Sequence, residues 1–429
     1  MPPRAFATQV VQLGKETTPG TPVAANTRLQ AMRIMPKPTF ESERFAPSGY
    51  TAPTVSIPLQ EWTEADVEGR ATYTDADPVF AGAIGKPVVT TPSGGTLARQ
   101  RVYTFDGVTP ANPEIYTVEY GDTTLSRRFS HGMFNGLSMS IARDSLEFNS
   151  AMIARNVETN VSLSGNEVQT VTLTGATGGT FTLTFGGQTT ANIAYNATAA
   201  AVATALAALT SIGTGNVAVT GAAGGPYVIT FQGTLGNTDV ALLTASGALL
   251  TGTTPTVVPT ETTKGGFTLI TPVPIAAGQW DIYVDDSAAN LGTTKFLEAY
   301  EAEFELAERF EPTWTINSAL PSFTSYVEKS AEDQEHTGTL NVGASTSMES
   351  YLTTMRTGAK KFVRLQAIGP IIEGAITHKL TIDMCVFITG TPGYDDLNGL
   401  LVLPFEFQVG RDEVWGKALT VTTVNGIAT

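Results

Sequence analysis

Three carboxylates alternate with apolar residues in Glu301-Ala302-Glu303-Phe304-Glu305-Leu306, and the same spacing recurs in Glu64-Ala65-Asp66-Val67-Glu68. Successive side chains of a strand point to opposite faces, so Glu301, Glu303 and Glu305 share one face, and Ala302, Phe304 and Leu306 the other. Glu64, Asp66 and Glu68 likewise share a face, continued by Arg70 and Thr72, with Ala65, Val67, Ala71 and Tyr73 opposite. A sheet built this way has one wall packed on a core and one acidic wall facing water. The plain expectation is an ordinary solvated sheet face. The sharper one is a conduit: carboxylates repel phosphates and no counterion release rewards contact, so a nucleic acid can slide past. Screening confines the repulsion to about 10 Å at roughly 0.1 M salt, so it acts close to the wall.

Patterns for other chemistry are missing. His131, His336 and His378 are scattered, without His-x-x-x-His or cysteine-containing ligand spacing, so no metal site is predicted. No Gly-x-Ser-x-Gly elbow occurs. Gly82-Ala83-Ile84-Gly85-Lys86-Pro87 fails as a phosphate loop, because Pro87 replaces the magnesium-holding hydroxyl and the glycine spacing is wrong; it reads as a helix stop. No pair of carboxylates is singled out for acid–base work. We therefore expect no catalytic residue, no cofactor and no enzyme activity. The single cysteine, Cys385, excludes an intramolecular disulfide and lies in an alternating run, Lys379 to Phe387, as a small strand hydrophobe.

The formal net charge of −15 makes the chain poor at gripping nucleic acid or an anionic membrane surface. Its 429 residues suffice for two or three domains, and 42 glycines with 24 prolines and few long amphipathic stretches point to a mainly β or β-rich α+β class. Met1-Pro2-Pro3-Arg4 lacks the apolar core of a signal peptide, and no run of about 18 apolar residues occurs, so neither export nor a membrane span is expected and assembly is assigned to a cytoplasm.

From Val168 to Thr260 the only charged residue is Asp239. This composition marks residues 166–264 as a small α+β domain inserted between segments 1–165 and 265–429. Strands are predicted at 168–173, 179–185, 217–220 and 227–231, with glycine turns at 175–179 and 221–225. A helix capped by Asn196 carries Val202, Leu206 and Leu209 on one face and stops at Gly213. The flanking segments resemble each other. Glu43-Arg44-Phe45-Ala46-Pro47 recurs as Glu308-Arg309-Phe310-Glu311-Pro312. Each is followed by an acidic stretch (61–68 and 328–335) expected to run on as a strand, to Tyr73 and Val342. A short helix comes next in both. The first is capped by Asp75 or Asp77, with Pro78 in its first turn and Gly85 as its stop. The second has a Thr346/Glu349 capping box, an apolar face of Met348, Tyr351, Leu352 and Met355, and Gly358 as its stop. Strand-rich tails, 116–153 and 362–409, complete a repeated order that reads as a duplication, against two unrelated β-domains sharing a motif by chance.

Several stretches carry a resemblance. Gln279 to Thr294 is similar to the loop-and-hairpin segment of the major tail (tail-tube) proteins of siphophages, and Val67 to Asp75, Asn135 to Ser140, Leu380 to Asp383 and Leu403 to Phe407 resemble the same family. The likeness spans roughly residues 25–165 and 265–425 and lies in the arrangement rather than in one motif. It implies β-sandwich or barrel units, each with a short flanking helix, whose sheets join between subunits around a DNA path. Family members with one unit form hexameric rings. Two units per chain imply a trimeric ring with pseudo-sixfold symmetry, a hexameric ring being the alternative. The implied partners are further copies of the chain, a tape-measure protein, tail-completion proteins and transiently passing DNA, with no membrane. The implied location is the virion tail. Glu64, Asp66, Glu68, Glu301, Glu303 and Glu305 are the candidate lumen-lining residues. Residues 1–28, an N-terminal arm, and 265–294 lack strong periodicity and are expected to be mobile in a free subunit and to order on stacking. The inserted domain resembles small β-rich modules of phage and bacterial surface proteins and would project outward, touching a bacterial surface or glycans. The competing readings are another β-rich virion protein (a capsid decoration or host-adhesion protein) and a secreted bacterial binding module.

Overall fold

The alternating runs of the sequence become strand almost throughout, and the computed structural model is mainly β, with three α-helices among its described residues. It describes all residues except 1–9, 122–125, 144–145, 160, 162–164, 237, 264, 267, 270, 317–322, 331–334, 344–348, 391–392, 398 and 428–429. The first segment holds β1 (Val10–Lys15), β2 (Thr27–Leu29), β3 (Met32–Phe45), β4 (Val55–Gly69), α1 (Asp77–Ala83), β5 (Val88–Thr90), β6 (Arg99–Phe105), β7 (Tyr116–Gly121), β8 (Ser126–Ala142), β9 (Leu146–Ala154) and β10 (Glu158–Thr159). The charge-poor stretch holds β11 (Val168–Phe185), β12 (Gln188–Thr189), β13 (Ile193–Ala194), α2 (Ala199–Ala207), β14 (Val217–Thr220), β15 (Tyr227–Phe231) and β16 (Thr244–Thr263). The last segment opens with β17 (Thr268–Leu269), β18 (Trp280–Asp285), β19 (Lys295–Phe296), β20 (Ala299–Leu306), β21 (Phe310–Thr313), β22 (Ser325–Glu328) and β23 (Thr337–Gly343). It closes with α3 (Glu349–Thr357), β24 (Lys360–Glu373), β25 (Ile376–Gly390), β26 (Asp395–Leu397), β27 (Leu400–Val409) and β28 (Leu419–Asn425).

The two flanking segments run through one topology twice. Hydrogen bonding follows β3-β4-β9-β8-β7-β1 in the first and β20-β23-β27-β25-β24-β18 in the second. The helix packs on the same strand in each, α1 on β8 and α3 on β25. That strand carries a bulge in each, between Asn135 and Leu137 and between Ile388 and Gly390. The units are fused. Beyond its bulge β8 leaves β7 and takes β20 as its neighbour, from Leu137↔Leu306 to Ala142↔Glu301, and β6 pairs with β28. One sheet therefore runs β3-β4-β9-β8-β20-β23-β27-β25. One core serves both units, with Leu137, Met139 and Phe148 of the first in the same cluster as Phe304, Leu306 and Phe407 of the second.

Residues 168–263 form their own six-stranded sheet on a separate core. Its chain ends meet at a neck, where the Gly266 N–H donates to the Gly165 carbonyl at 3.1 Å and the Gly265 N–H to the Glu167 carboxylate at 2.8 Å. The expected strands at 168–173 and 179–185 are one strand, β11, paired along β16 with register shifts between Thr174 and Gly178. The glycines there are not a turn. Gly175 and Gly179 have positive φ, and a Cβ on either would sit 2.2 Å or 2.1 Å from a backbone oxygen of the partner strand, so they allow a kinked close approach. Val202 and Leu206 are buried on the predicted helix face, and Leu209 is buried just past the helix end at Ala207, short of the expected stop at Gly213. Its cap is Thr198 rather than Asn196: the Thr198 hydroxyl accepts from the Ala201 N–H.

Other expectations also change. α1 is capped by Ala76 without a side-chain bond, because both aspartates have distant donors. Asp75 accepts from the Gln30 and Ala31 N–H groups, and Asp77 from the Tyr103 and Thr423 hydroxyls and the Asn425 amide. The Thr346 cap and Met348 of the second helix lie outside the described residues, and Gly358 follows the helix with φ +65°. The acidic stretch at 328–335 does not run on as one strand: β22 ends at Glu328 and β23 begins at Thr337. Residues 10–28 are not an arm. Val11 and Leu13 of β1 are buried between β2 and β7, and the buried Glu16 carboxylate accepts from the Gly20 and His131 N–H groups and the Thr117 hydroxyl. Residues 265–294 are likewise built in, through β17 on β2, β18 on β24 and a fully buried Ile275.

Candidate functional site

Residues directly opposite each other in an antiparallel pair share a face. Following the register across the fused sheet therefore assigns each side chain to a wall. One row reads Arg33, Glu68, Asn149, Ser138, Glu305, Thr337, Gln408 through β3, β4, β9, β8, β20, β23 and β27. A second reads Glu147, Ser140, Glu303, Thr339, Glu406 through β9, β8, β20, β23 and β27. Glu64 and Asp66 stand on the same wall as Glu68, opposite Ile153 and Ala151 of β9, and Glu301 stands with Glu303 and Glu305, opposite Ala142 of β8 and Asn341 of β23. The fold thus brings all six sequence-predicted carboxylates, from stretches more than two hundred residues apart, onto one face. The other face carries Ala65, Val67, Met139, Phe148, Ala302, Phe304 and Leu306, all buried.

The wall is uneven in charge. Near β3 it is partly balanced: Lys37 pairs with Asp66, which raises the Lys37 pKa above its ordinary value through their hydrogen bond, and Arg33 stands opposite Glu68. The Trp62 indole N–H donates to Glu64 at 2.9 Å, and the Asn341 amide to Glu301 at 2.9 Å. At the joint between the units, Glu147, Glu303, Glu305 and Glu406 surround a hollow of 520 Å³ lined by the hydroxyls of Ser138, Ser140, Thr337 and Thr339, with no lysine or arginine among its lining residues. Glu147 and Glu406 were not singled out from the sequence. Each does alternate with apolar residues, in Leu146-Glu147-Phe148 and Phe405-Glu406-Phe407, the same signal that revealed the other six.

Among the described residues the wall carries hydroxyls but no exposed thiol or imidazole. His131 and His336 are buried, each pushed down to about 4 by burial and by a nearby guanidinium, Arg155 and Arg309 respectively. Cys385 is fully buried in β25, and burial pushes its thiol up to about 11. Among the described residues no group of three His, Cys, Asp or Glu side chains could hold a metal ion. What the wall offers is a broad negative surface with hydroxyls and amides between the charges, suited to weak, delocalised electrostatics. Neither the known family models nor the curated proteins include a match to this chain.

Proposed function

We propose that this chain is a tube-building virion protein. Copies join edge to edge, the eight-stranded sheet continues from chain to chain and closes into a ring with the acidic wall inside, and rings stack into the conduit for DNA in a siphophage-like tail. The observation that carries this reading is the β8–β20 joint: one unit's sheet continues into the next unit's sheet, and both acidic clusters stay on one wall. The rule can be applied again. β24 covers β25 only as far as Phe387, leaving Ile388–Gly390 in the position that β20 fills on β8, and among the described residues β3 pairs on one side only, with β4. A head-to-tail contact of this kind closes into a ring when its rotation permits, and closure removes the exposed sheet edges.

Two units per chain make a trimer the equivalent of six single units, with a hexamer of chains as the alternative. The inserted domain, tied by one neck, is assigned to the exterior. Tape-measure and tail-completion proteins are the expected partners, the virion tail the expected location after assembly in the host cytoplasm, and the role is structural rather than enzymatic.

Negative-stain images of concentrated protein test the reading. Stacked rings with a central hole are expected, and their symmetry separates trimer from hexamer. Dispersed particles at every concentration, or an adhesion or decoration protein's isolated globules, overturn it. Replacing Glu301, Glu303 and Glu305 with Lys is expected to allow assembly but slow DNA ejection; unchanged ejection kinetics remove these residues from the bore.

A further inference from the structure

The pentapeptide found twice in the sequence has a visible task in its second copy. Arg309 is 1% exposed. Its guanidinium donates to the carbonyls of Ala83 (3.1 Å) and Ile84 (2.9 Å) at the C-terminal end of α1, pairs with Glu328, and lies 4.4 Å over the Phe105 ring. A cation at a helix C-terminus satisfies carbonyls that have no partner in the helix and complements the helix dipole. The backbone beside it is held as well: the Asn135 side chain accepts from the Arg309 and Phe310 N–H groups and donates to the Phe310 carbonyl. The tip of the second unit's long hairpin is thereby seated on the first unit, with Phe310 and Phe323 buried.

The first copy of the pentapeptide stands at the last pair of the β3–β4 hairpin, Phe45↔Val55, whereas the second copy's strand runs on to Thr313↔Ser325, and no described residue covers the first. Arg44 is exposed, and around it Phe40, Phe45, Val55, Ile57 and Leu59 are 67%, 51%, 53%, 42% and 53% exposed. Few features of a lone chain explain so many large apolar side chains in water on one hairpin. The site that would receive it by the same rule is also open. At the end of α3, residues 356–359 are all exposed, whereas Ala83 and Ile84 at the end of α1 are buried under Arg309. Hairpin and helix end are thus both covered where the two units meet within the chain, and both exposed among the described residues where no second unit adjoins them.

We propose that the β3–β4 tip docks on the second unit of another copy of this chain, with the Arg44 guanidinium over the C-terminal carbonyls of α3, as Arg309 sits on α1, and Phe45 with its apolar neighbours buried beside it. The inference rests on the reading that copies join head to tail, and it names the contact that locks them. The occupant is a second copy because the receiving geometry is one this chain already makes with itself.

Cysteine pairing tests it in the full-length protein. The native Cys385 is buried and does not compete. Under mild oxidation R44C/T357C is expected to give a ladder of covalent multimers, and a control pair with the second cysteine in the inserted domain, R44C/T253C, none. Absence of the ladder, or an equal ladder from the control, overturns the docking. R44E with the native cysteine is expected to raise the concentration needed for association about tenfold or more, as the loss of a charged hydrogen-bond donor predicts; association unchanged by R44E overturns it too. The outcomes are separable from those for the tube. Rings from the wild type without the ladder leave the tube standing and remove this contact, and a ladder without rings does the reverse.

Discussion

The two long hairpins carry one motif in two environments. In the second unit the hairpin that carries the Glu-Arg-Phe-x-Pro motif is packed under side chains from the first: Asn135 binds the motif's backbone, His131 stacks edge-on to Phe323 at 5.0 Å, Arg155 donates to the carbonyls of Phe323 and Thr324, and Trp62 meets Trp314 at 5.8 Å. In the first unit the same motif stands in solvent. The sequence at the tip does not decide between these states. Having a neighbouring unit does, and within one chain only the second hairpin has one. On the proposed head-to-tail reading, this is the difference expected of a contact that the chain can satisfy only once by itself.

The largest effect that can break this comparison comes from Arg309. Arg309→Ala removes a buried cation and leaves two helix carbonyls without their donor, while Glu328 keeps only the Ala111 N–H and solvent as partners. Loss of one partner from a buried ion pair costs about 3–5 kcal/mol, and that is the expected drop in unfolding free energy by denaturant titration. A drop below about 1 kcal/mol means that the second hairpin is not held by its motif, and the analogy with the first then has no basis.

Acid gives the next largest effect. Folded His131 and His336 titrate near 4, whereas an exposed imidazole titrates near 6.5. Both stand where the second hairpin is seated: His131 against Phe323 and Tyr326, and His336 against Phe105 with its Nδ1 accepting from the Ala307 N–H. Between these values the unfolded chain binds protons that the folded chain refuses. Stability contributed by the neutral imidazoles is therefore complete above about 6.5, falls as the pH drops toward 4, and falls no further from these groups below it. The loss is on the order of 3 kcal/mol for each imidazole. His131→Asn, chosen because Asn tolerates the positive φ of 55° at this position, should flatten the pH 6.5 to 4 slope of the urea midpoint, the remainder coming from His336, His378 and the carboxylates held below their ordinary range. A parallel curve would exclude His131 as a source of the slope.

Asn135→Ala sharpens the comparison at a smaller scale. It strips three hydrogen bonds from the backbone of the buried motif, and stranding buried backbone groups costs about 1–3 kcal/mol. Amide exchange should quicken at residues 309–310 and stay unchanged in the β3–β4 tip. Equal acceleration in both hairpins would show that the substitution loosens the whole body instead.

How much of this was legible beforehand depends on whether a residue's role is set locally. Alternation is local, so the acidic face at 64–68 and 301–305 could be read, and Glu147 and Glu406 carried the same signal. The glycine stops of α1 and α3 were local too, whereas α2 ends at Ala207, short of the expected stop at Gly213. Caps were not: Asp75 and Asp77 looked like caps until Gln30, Ala31, Tyr103 and Asn425, far away in sequence, supplied their donors. β1 escaped notice because Val11, Gln12, Leu13 and Gly14 are all buried, leaving no period of two to detect in a strand covered on both faces. The fusion of the units through β8 and β20 left no trace either, since pairing partners at this separation are chosen by the assembled core.

The smallest expected effect is the most telling about the free hairpin. Arg44→Ala should leave the unfolding free energy of dilute, unassociated protein within about 0.5 kcal/mol of wild type, because an exposed side chain without buried partners contributes little to the folded chain. The same atoms removed at Arg309 are expected to cost several times more, so the pair of substitutions measures environment with chemistry held constant. Both measurements belong at a protein concentration low enough to suppress association, checked by sedimentation, since contact between copies would lend Arg44 the buried surroundings that Arg309 already has. If Arg44→Ala destabilises the dilute chain by 2 kcal/mol or more, a magnitude typical of a buried hydrogen-bonded group, the first hairpin has a partner within its own chain and is not waiting for another.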